Sequence, residues 1–127
     1  MDYNKQRSNE SMEDYLETIL ILKKNNGNVR SIDIANELNF TKASVSVAMK
    51  NLRDKEYITV ADNGYISLTQ SGKKIAERVY ERHTILSELL INLGVNQKVA
   101  LEDACKIEHF LSEESFNAIK RHIKTQH

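Results

Sequence analysis

Apolar residues recur every three or four positions along most of the chain and every second position in one short stretch, which predicts helices interrupted once by a hairpin. "SMEDYLETILILKKNNGN" predicts a first helix. Ser11 followed by Asp14 makes a capping pattern, Tyr15, Ile19 and Leu22 keep helical spacing, and the run Asn25 to Asn28 stops it. "SIDIANEL" predicts a second helix of about two turns, capped by Ser31, with Ile32, Ala35 and Leu38 as its buried stripe. After a tight connection at Asn39 and Phe40, Thr41 caps "KASVSVAMKNLRDKE", whose apolar face is Val45, Ala48, Met49 and Leu52. In "YITVADNGYISLT" the period drops to two: Ile58 and Val60 flank Thr59, Ile66 and Leu68 flank Ser67, and Asp62-Asn63-Gly64 turns between them. Thr69 then caps a long amphipathic helix that Gly94 ends, Asn96 opens another, and Ser112 begins a last one with Phe116, Ile119 and Ile123 inward.

Three helices followed by a β-hairpin form a winged helix-turn-helix pattern. The fold class expected is mainly α: a winged helix-turn-helix in residues 1–71 and an all-helical domain in residues 72–127. The absence of proline and the presence of only four glycines agree with a helical chain. The composition adds exclusions. Eighteen basic residues balance eighteen acidic ones, so no global field selects nucleic acid or membrane, and any basic surface is local. A single cysteine excludes an internal disulfide and fits a reducing compartment. No apolar run approaches the roughly 20 residues that cross a bilayer, and "MDYNKQRSNE" lacks the apolar core of a signal peptide. A cytoplasmic protein with no membrane partner is expected.

In a winged helix the third helix offers its first turns to the major groove, while the hairpin lies on the neighbouring backbone. The outward positions of that helix are Ala43, Val47 and Lys50, flanked by Ser44 and Asn51. Val47 on a solvated face gains nothing by packing but suits the methyl groups of thymine. Lys42, Lys50, Arg53 and Lys55 outnumber Asp54 between Thr41 and Lys55, a basic strip where phosphates would lie. Arg30 and Ser31, at the start of the second helix, add backbone contacts. The pattern predicts a double-stranded DNA reader, with an ordinary solvated helix face as the alternative for any one residue and a protein-binding winged helix as the alternative for the whole arrangement.

"DACKIEHFLS" gathers Cys105, Glu108 and His109, which helical offsets of three and four place on one face. A buried cysteine beside a surface ion pair is one reading and a metal site the other. Asp14 and Glu17 repeat the three-residue offset on the first helix, and His83 lies within the long one.

With these segments in view, the chain resembles the diphtheria-toxin-repressor and manganese-transport-regulator family of metal-dependent transcriptional repressors. "SMEDYLETI", "DIANEL", "SLTQSGKKIA", "ERH" and "DACKIEHFLS" stand in that family's order from Ser11 to Ser112. The resemblance implies a homodimer whose winged helices bind a palindromic operator and whose long C-terminal helices build the dimer interface. It implies metal ligands at Asp14, Glu17, His83, Cys105, Glu108 and His109. The chain is a hybrid within that family: the manganese branch has the aspartate of Asp14 but glutamate at the position of Cys105, and the iron branch has the cysteine but methionine in place of Asp14. The accessory site of the iron branch is expected to be absent, because its positions are Ser87 and Leu101 here, and so is the SH3-like tail of longer relatives, because the sequence stops at His127.

The expected cofactor is Mn(II), then Fe(II), with Zn(II) and Co(II) able to bind in vitro. Asp14 is a hard oxygen donor, the Cys105 sulfur pulls toward iron, cobalt or zinc, and Glu17 is a second carboxylate able to bridge two ions. The expected switch has a divalent ion tying the first helix to the C-terminal helices, which fixes the spacing of two recognition helices on successive major grooves. Ile85, Leu86, Leu89, Leu90 and Leu93 exceed what one helix needs for its own core and are assigned to the dimer interface. No small organic substrate is expected. Two alternatives stay open: a metal-independent winged-helix regulator with Cys105 as a thiol switch, and a small metalloenzyme, the latter opposed by the lack of a phosphate-cradling loop or nucleophile elbow.

Overall fold

The computed structural model describes residues 3–125, and side chains from residue 10 to residue 125. Expectations drawn from the first residues of the chain and from its end at His127 lie outside the described residues. The elements are α1 (Tyr3–Asn26), α2 (Ser31–Leu38), α3 (Lys42–Asp54), β1 (Ile58–Val60), β2 (Ile66–Leu68), α4 (Gln70–Asn92), α5 (Gln97–Ile107) and α6 (Glu113–Thr125). This is the mainly helical winged helix-turn-helix with a helical C-terminal half that the pattern predicts. The chain divides into two compact units, Met1–Glu77 and Arg78–His127. No described helix is long and apolar enough to cross a membrane.

In the N-terminal unit α2 packs on α3 and on α1, and the core is Leu16, Ile19, Val29, Ile34, Val45, Leu52, Ile58 and Ile66, all nearly inaccessible. β1 and β2 pair antiparallel, with Ile58 opposite Leu68 and Val60 opposite Ile66. The Ile66 amide also donates to the Val29 carbonyl at 2.8 Å, so the segment before α2 joins the hairpin. Asn39 ends α2 at φ 57°, a left-handed cap in which its amide donates to the Ala35 carbonyl. The Thr41 hydroxyl oxygen accepts from the Ser44 amide at 3.1 Å, capping α3 as predicted.

Two local expectations are corrected. α1 does not begin at Ser11 but runs through it from Tyr3, so the pair Ser11 and Asp14 is no capping box and Asp14 stands inside the helix. No glycine or proline interrupts the preceding residues, and a cap-type side chain in an uninterrupted helix caps nothing. α2 is capped one residue early, at Arg30, whose amide donates to the Asp33 carboxylate at 2.9 Å. Its buried face is Ile34 and Ala35 with Leu38 packed beside them, whereas Ile32 is 39% exposed. Steps of three alone drift about 60° around a helix each time, so the predicted stripe walked off the face that steps of three and four share.

The start of α4 is locked to the segment that follows α3. The Thr69 oxygen accepts from the Gly72 amide at 3.1 Å, and its hydroxyl donates to the Glu56 carbonyl at 2.7 Å. Glu56 holds a left-handed φ of 64°. Gly72 lies against the Tyr57 backbone so closely that a Cβ would run into the Tyr57 carbonyl oxygen. Gly72→Ala is expected to destabilise the protein by roughly 2–3 kcal/mol, read as a lower urea midpoint, whereas Gly27→Ala meets no neighbouring atoms and pays only for its positive φ.

In the C-terminal unit, Gly94 ends α4 with φ 101° and an amide that donates to the Ile91 carbonyl, and the Val95 amide donates to the Leu90 carbonyl. Asn96 caps α5 through a bond from the Lys98 amide, and the Ser112 hydroxyl oxygen accepts from Ser115 at the start of α6. Val79, Leu86, Ala100, Ala104, Phe116 and Ile123 are buried.

Candidate metal centre and nucleic-acid face

α5 ends at Ile107, so the helical run expected through Cys105, Glu108 and His109 stops before its last two members. Cys105 is exposed on the last turn, Glu108 occupies the C-cap, and His109 follows in the connection to α6. Glu108 still keeps helical backbone angles, and its amide donates to Ala104. Its side chain turns inward until only 1% of the residue is accessible.

What gathers the donors is α4. His83 places its Nδ1 3.0 Å from the Glu108 Oε2, and the His109 Nε2 lies 3.4 Å from the Oε1 of the same carboxylate. Glu108 is thus flanked by imidazoles on both oxygens. His83, Cys105 and Glu108 offer a nitrogen, a sulfur and an oxygen whose ligand atoms all lie within 4.8 Å of one another. That separation suits one divalent cation, and the borderline donor set suits the series from manganese and iron to zinc. Asp14 and Glu17 belong to the N-terminal unit, one turn apart on α1, Asp14 half-buried and Glu17 buried.

Hydrogen bonding to Cys105, and next to Glu108, pushes the His83 imidazole from 6.5 up to about 10, against the opposing pull of burial. His83 is therefore protonated at neutral pH in the metal-free protein, and a cation there competes with a proton.

The residue that sequence reasoning missed is Arg82. It is buried, its Nη1 donates to the carbonyls of Glu108 at 3.0 Å and Leu111 at 2.6 Å, its Nη2 donates to the Glu113 carboxylate at 2.9 Å, and its guanidinium lies over the Phe116 ring. Nothing in the spacing of "ERH" separates this arginine from a solvated one. Ser87, on the same helix, donates to the His83 carbonyl.

On the other unit, Lys42, Ala43, Ser44 and Lys50 are exposed along α3, and Val47 is 62% exposed. Ser46 is exposed beside them and shares a hollow with Ser31, Ile32 and Lys42. The Thr41 hydroxyl is occupied in capping α3, and the Arg30 guanidinium stacks 4.5 Å from the centre of the Tyr65 ring. Of the residues assigned to a dimer interface, Leu86 is buried in the single chain, Ile85, Leu89 and Leu90 are half-buried, and Leu93 is 71% exposed.

The architecture is that of a winged-helix DNA-binding protein carrying a helical domain with clustered metal donors. Residues 8–65 match the iron dependent repressor N-terminal DNA binding domain, and residues 69–126 match the iron dependent repressor metal binding and dimerisation domain. The HTH-type transcriptional regulator MntR of Geobacillus thermodenitrificans is 40% identical over 111 residues, which cover 87% of this chain and 77% of that protein. An uncharacterized HTH-type transcriptional regulator of Methanocaldococcus jannaschii is 34% identical over 113 residues, covering 87% of this chain and 90% of that one. A solved manganese-dependent transcriptional repressor in complex with manganese shares the fold, with a TM-score of 0.81 at 23% identity; the match covers 89% of this chain but 52% of that one. The chain belongs to the iron-dependent repressor family of metal-dependent transcriptional repressors, together with the MntR regulators.

Because the His83 pKa is raised on folding, its contribution to the stability of the metal-free protein is complete below pH 6.5 and is lost as pH rises through about 10. The melting temperature of chelator-treated protein is expected to fall across that window, and His83→Gln is expected to remove most of the fall.

Proposed function

We propose that this chain represses metal-uptake genes by binding operator DNA when a divalent cation, Mn(II) first and Fe(II) next, is held by Asp14, Glu17, His83, Cys105, Glu108 and His109. The observation that carries the reading is the convergence of His83 and Cys105 on the buried Glu108 carboxylate, in a domain that matches a metal-binding and dimerisation family. A bound cation would supply the positive charge that offsets repulsion among the carboxylates. The rest falls to the chain's own groups. Asp14 and Glu17 contribute hard oxygens, and Glu17 suits a second ion. Cys105 contributes the soft donor through which zinc and cobalt compete in vitro. His83 gives up its proton on binding.

In this reading metal occupancy raises DNA affinity by population shift, to the extent that the DNA-competent state binds the ion more tightly. Lys42, Ala43, Ser44, Val47 and Lys50 meet the major groove, while Arg30, Ser31 and Thr41 meet the backbone of a palindromic operator. The protein acts in the cytoplasm as a homodimer through Ile85, Leu86, Leu89, Leu90 and Leu93, and it is a regulator rather than an enzyme. The exposure of Cys105 favours one second reading, a thiol switch that works without metal.

Fluorescence anisotropy on a pool of palindromic AT-rich duplexes, at fixed salt and with Mn(II), Fe(II) or Zn(II), separates the two. Tightening with Mn(II) or Fe(II) supports the metal-dependent repressor; binding that ignores metal and responds to peroxide supports the thiol switch. Asp14→Ala and His109→Ala are expected to stay folded and lose the metal response, and a normal response in both would remove the ligand assignment. Sedimentation at micromolar concentration is expected to give a dimer; a monomer would remove the interface assignment.

A further inference from the structure

Arg82 is a buried cation that bonds two backbone carbonyls and one carboxylate. Its Nη1 bridges the Glu108 and Leu111 carbonyls, the two ends of the connection between α5 and α6, and its Nη2 bonds Glu113 at the first position of α6. The planar fork engages these acceptors at once while its flat face rests 5.1 Å from the centre of the Phe116 ring. A lysine ammonium, a point charge on a flexible stem, cannot hold such a fork. The Glu108 carbonyl, at the C-cap of α5, also favours a cation there. The arrangement is expensive: the guanidinium is desolvated and its Nε is buried without a hydrogen-bond partner, whereas an apolar side chain would fill the same space at less cost.

The next residue on α4 is His83, which grips the Glu108 carboxylate. Consecutive residues of one rigid helix therefore hold Glu108 at both ends, Arg82 by its carbonyl and His83 by its side chain. His109 lies inside the span that Arg82 closes.

We propose that Arg82 is a positioning residue whose guanidinium fixes the Glu108–Leu111 connection so that Glu108 stands against His83 before any ion arrives. Its consequence for metal affinity rests on the proposed metal site; its effect on the metal-free connection does not. Partners that orient metal ligands in this way are worth about 10–100-fold in affinity.

The test compares wild type, Arg82→Lys and Ile123→Ala, the last a buried α6 change outside the connection. In metal-free protein, nitrogen-15 NMR of the histidine rings reads the His83–Glu108 hydrogen bond directly. In Arg82→Lys that bond is expected to be lost while the circular dichroism spectrum stays helical, and in Ile123→Ala it is expected to persist despite lower stability. Titration with Mn(II) alone, well below the melting temperatures, is expected to show binding weakened about 10–100-fold in Arg82→Lys and unchanged in Ile123→Ala. An unaltered His83 signal in Arg82→Lys overturns the proposal, as does equal loss in Ile123→Ala. A wild type that binds no Mn(II) while the NMR difference stands would overturn the metal reading and leave the positioning role in place.

Discussion

The C-terminal unit is organised by one desolvated carboxylate. Glu108 is among the least accessible residues of the chain, and an ionised carboxylate without water must be compensated by charge or hydrogen bonds. His83 from α4 and His109 from the connection face the two carboxylate oxygens, and Arg82, beside His83, bonds the carbonyl of the same residue. The end of α5, the connection and the start of α6 are arranged around that demand. Cys105, one turn before Glu108, is thereby brought to the imidazole while its own side chain stays open to solvent.

The parts of this structure legible in the sequence are those that local chemistry decides. Thr41, Thr69, Asn96 and Ser112 each cap the helix they precede, because an oxygen on a short side chain reaches an amide two or three residues on and needs no tertiary partner. The hairpin was legible from its change of period. What was not legible depended on distant partners or on a missing competitor. Ser11 and Asp14 have the form of a capping box, but nothing upstream forces the helix to begin there. Ile32 looks buried by spacing until the face through Ile34 is known. Arg82 carries no local sign of burial, since its partners lie some 26 to 31 residues away.

The candidate site shows the same division. The motif "DACKIEHFLS" supplied the donor residues and the offset that brings Cys105 beside Glu108, but not the differences in accessibility among them. Ending α5 at Ile107 separates Cys105, His109 and Glu108 into a solvent-facing thiol, a ring in the connection and a buried carboxylate between them. Donors of differing accessibility differ in how easily protons and oxidants reach them, which sets apart the chemistry of the thiol from that of the carboxylate it neighbours.

The bond from the Ile66 amide to the Val29 carbonyl has a wider meaning for the wing. Because Arg30 follows Val29 and Tyr65 precedes Ile66, this pairing dictates that the guanidinium and the phenol ring meet. The entrance to α2 and the root of the hairpin are therefore stitched into a single three-ply seam, while the turn at Asp62 and Asn63 projects beyond it. Such a wing is an anchored lever: its tip is closed by bonds from the Gly64 amide to Ala61 and from the Tyr65 amide to the Asn63 side chain, and its base holds the register of the residues beside it.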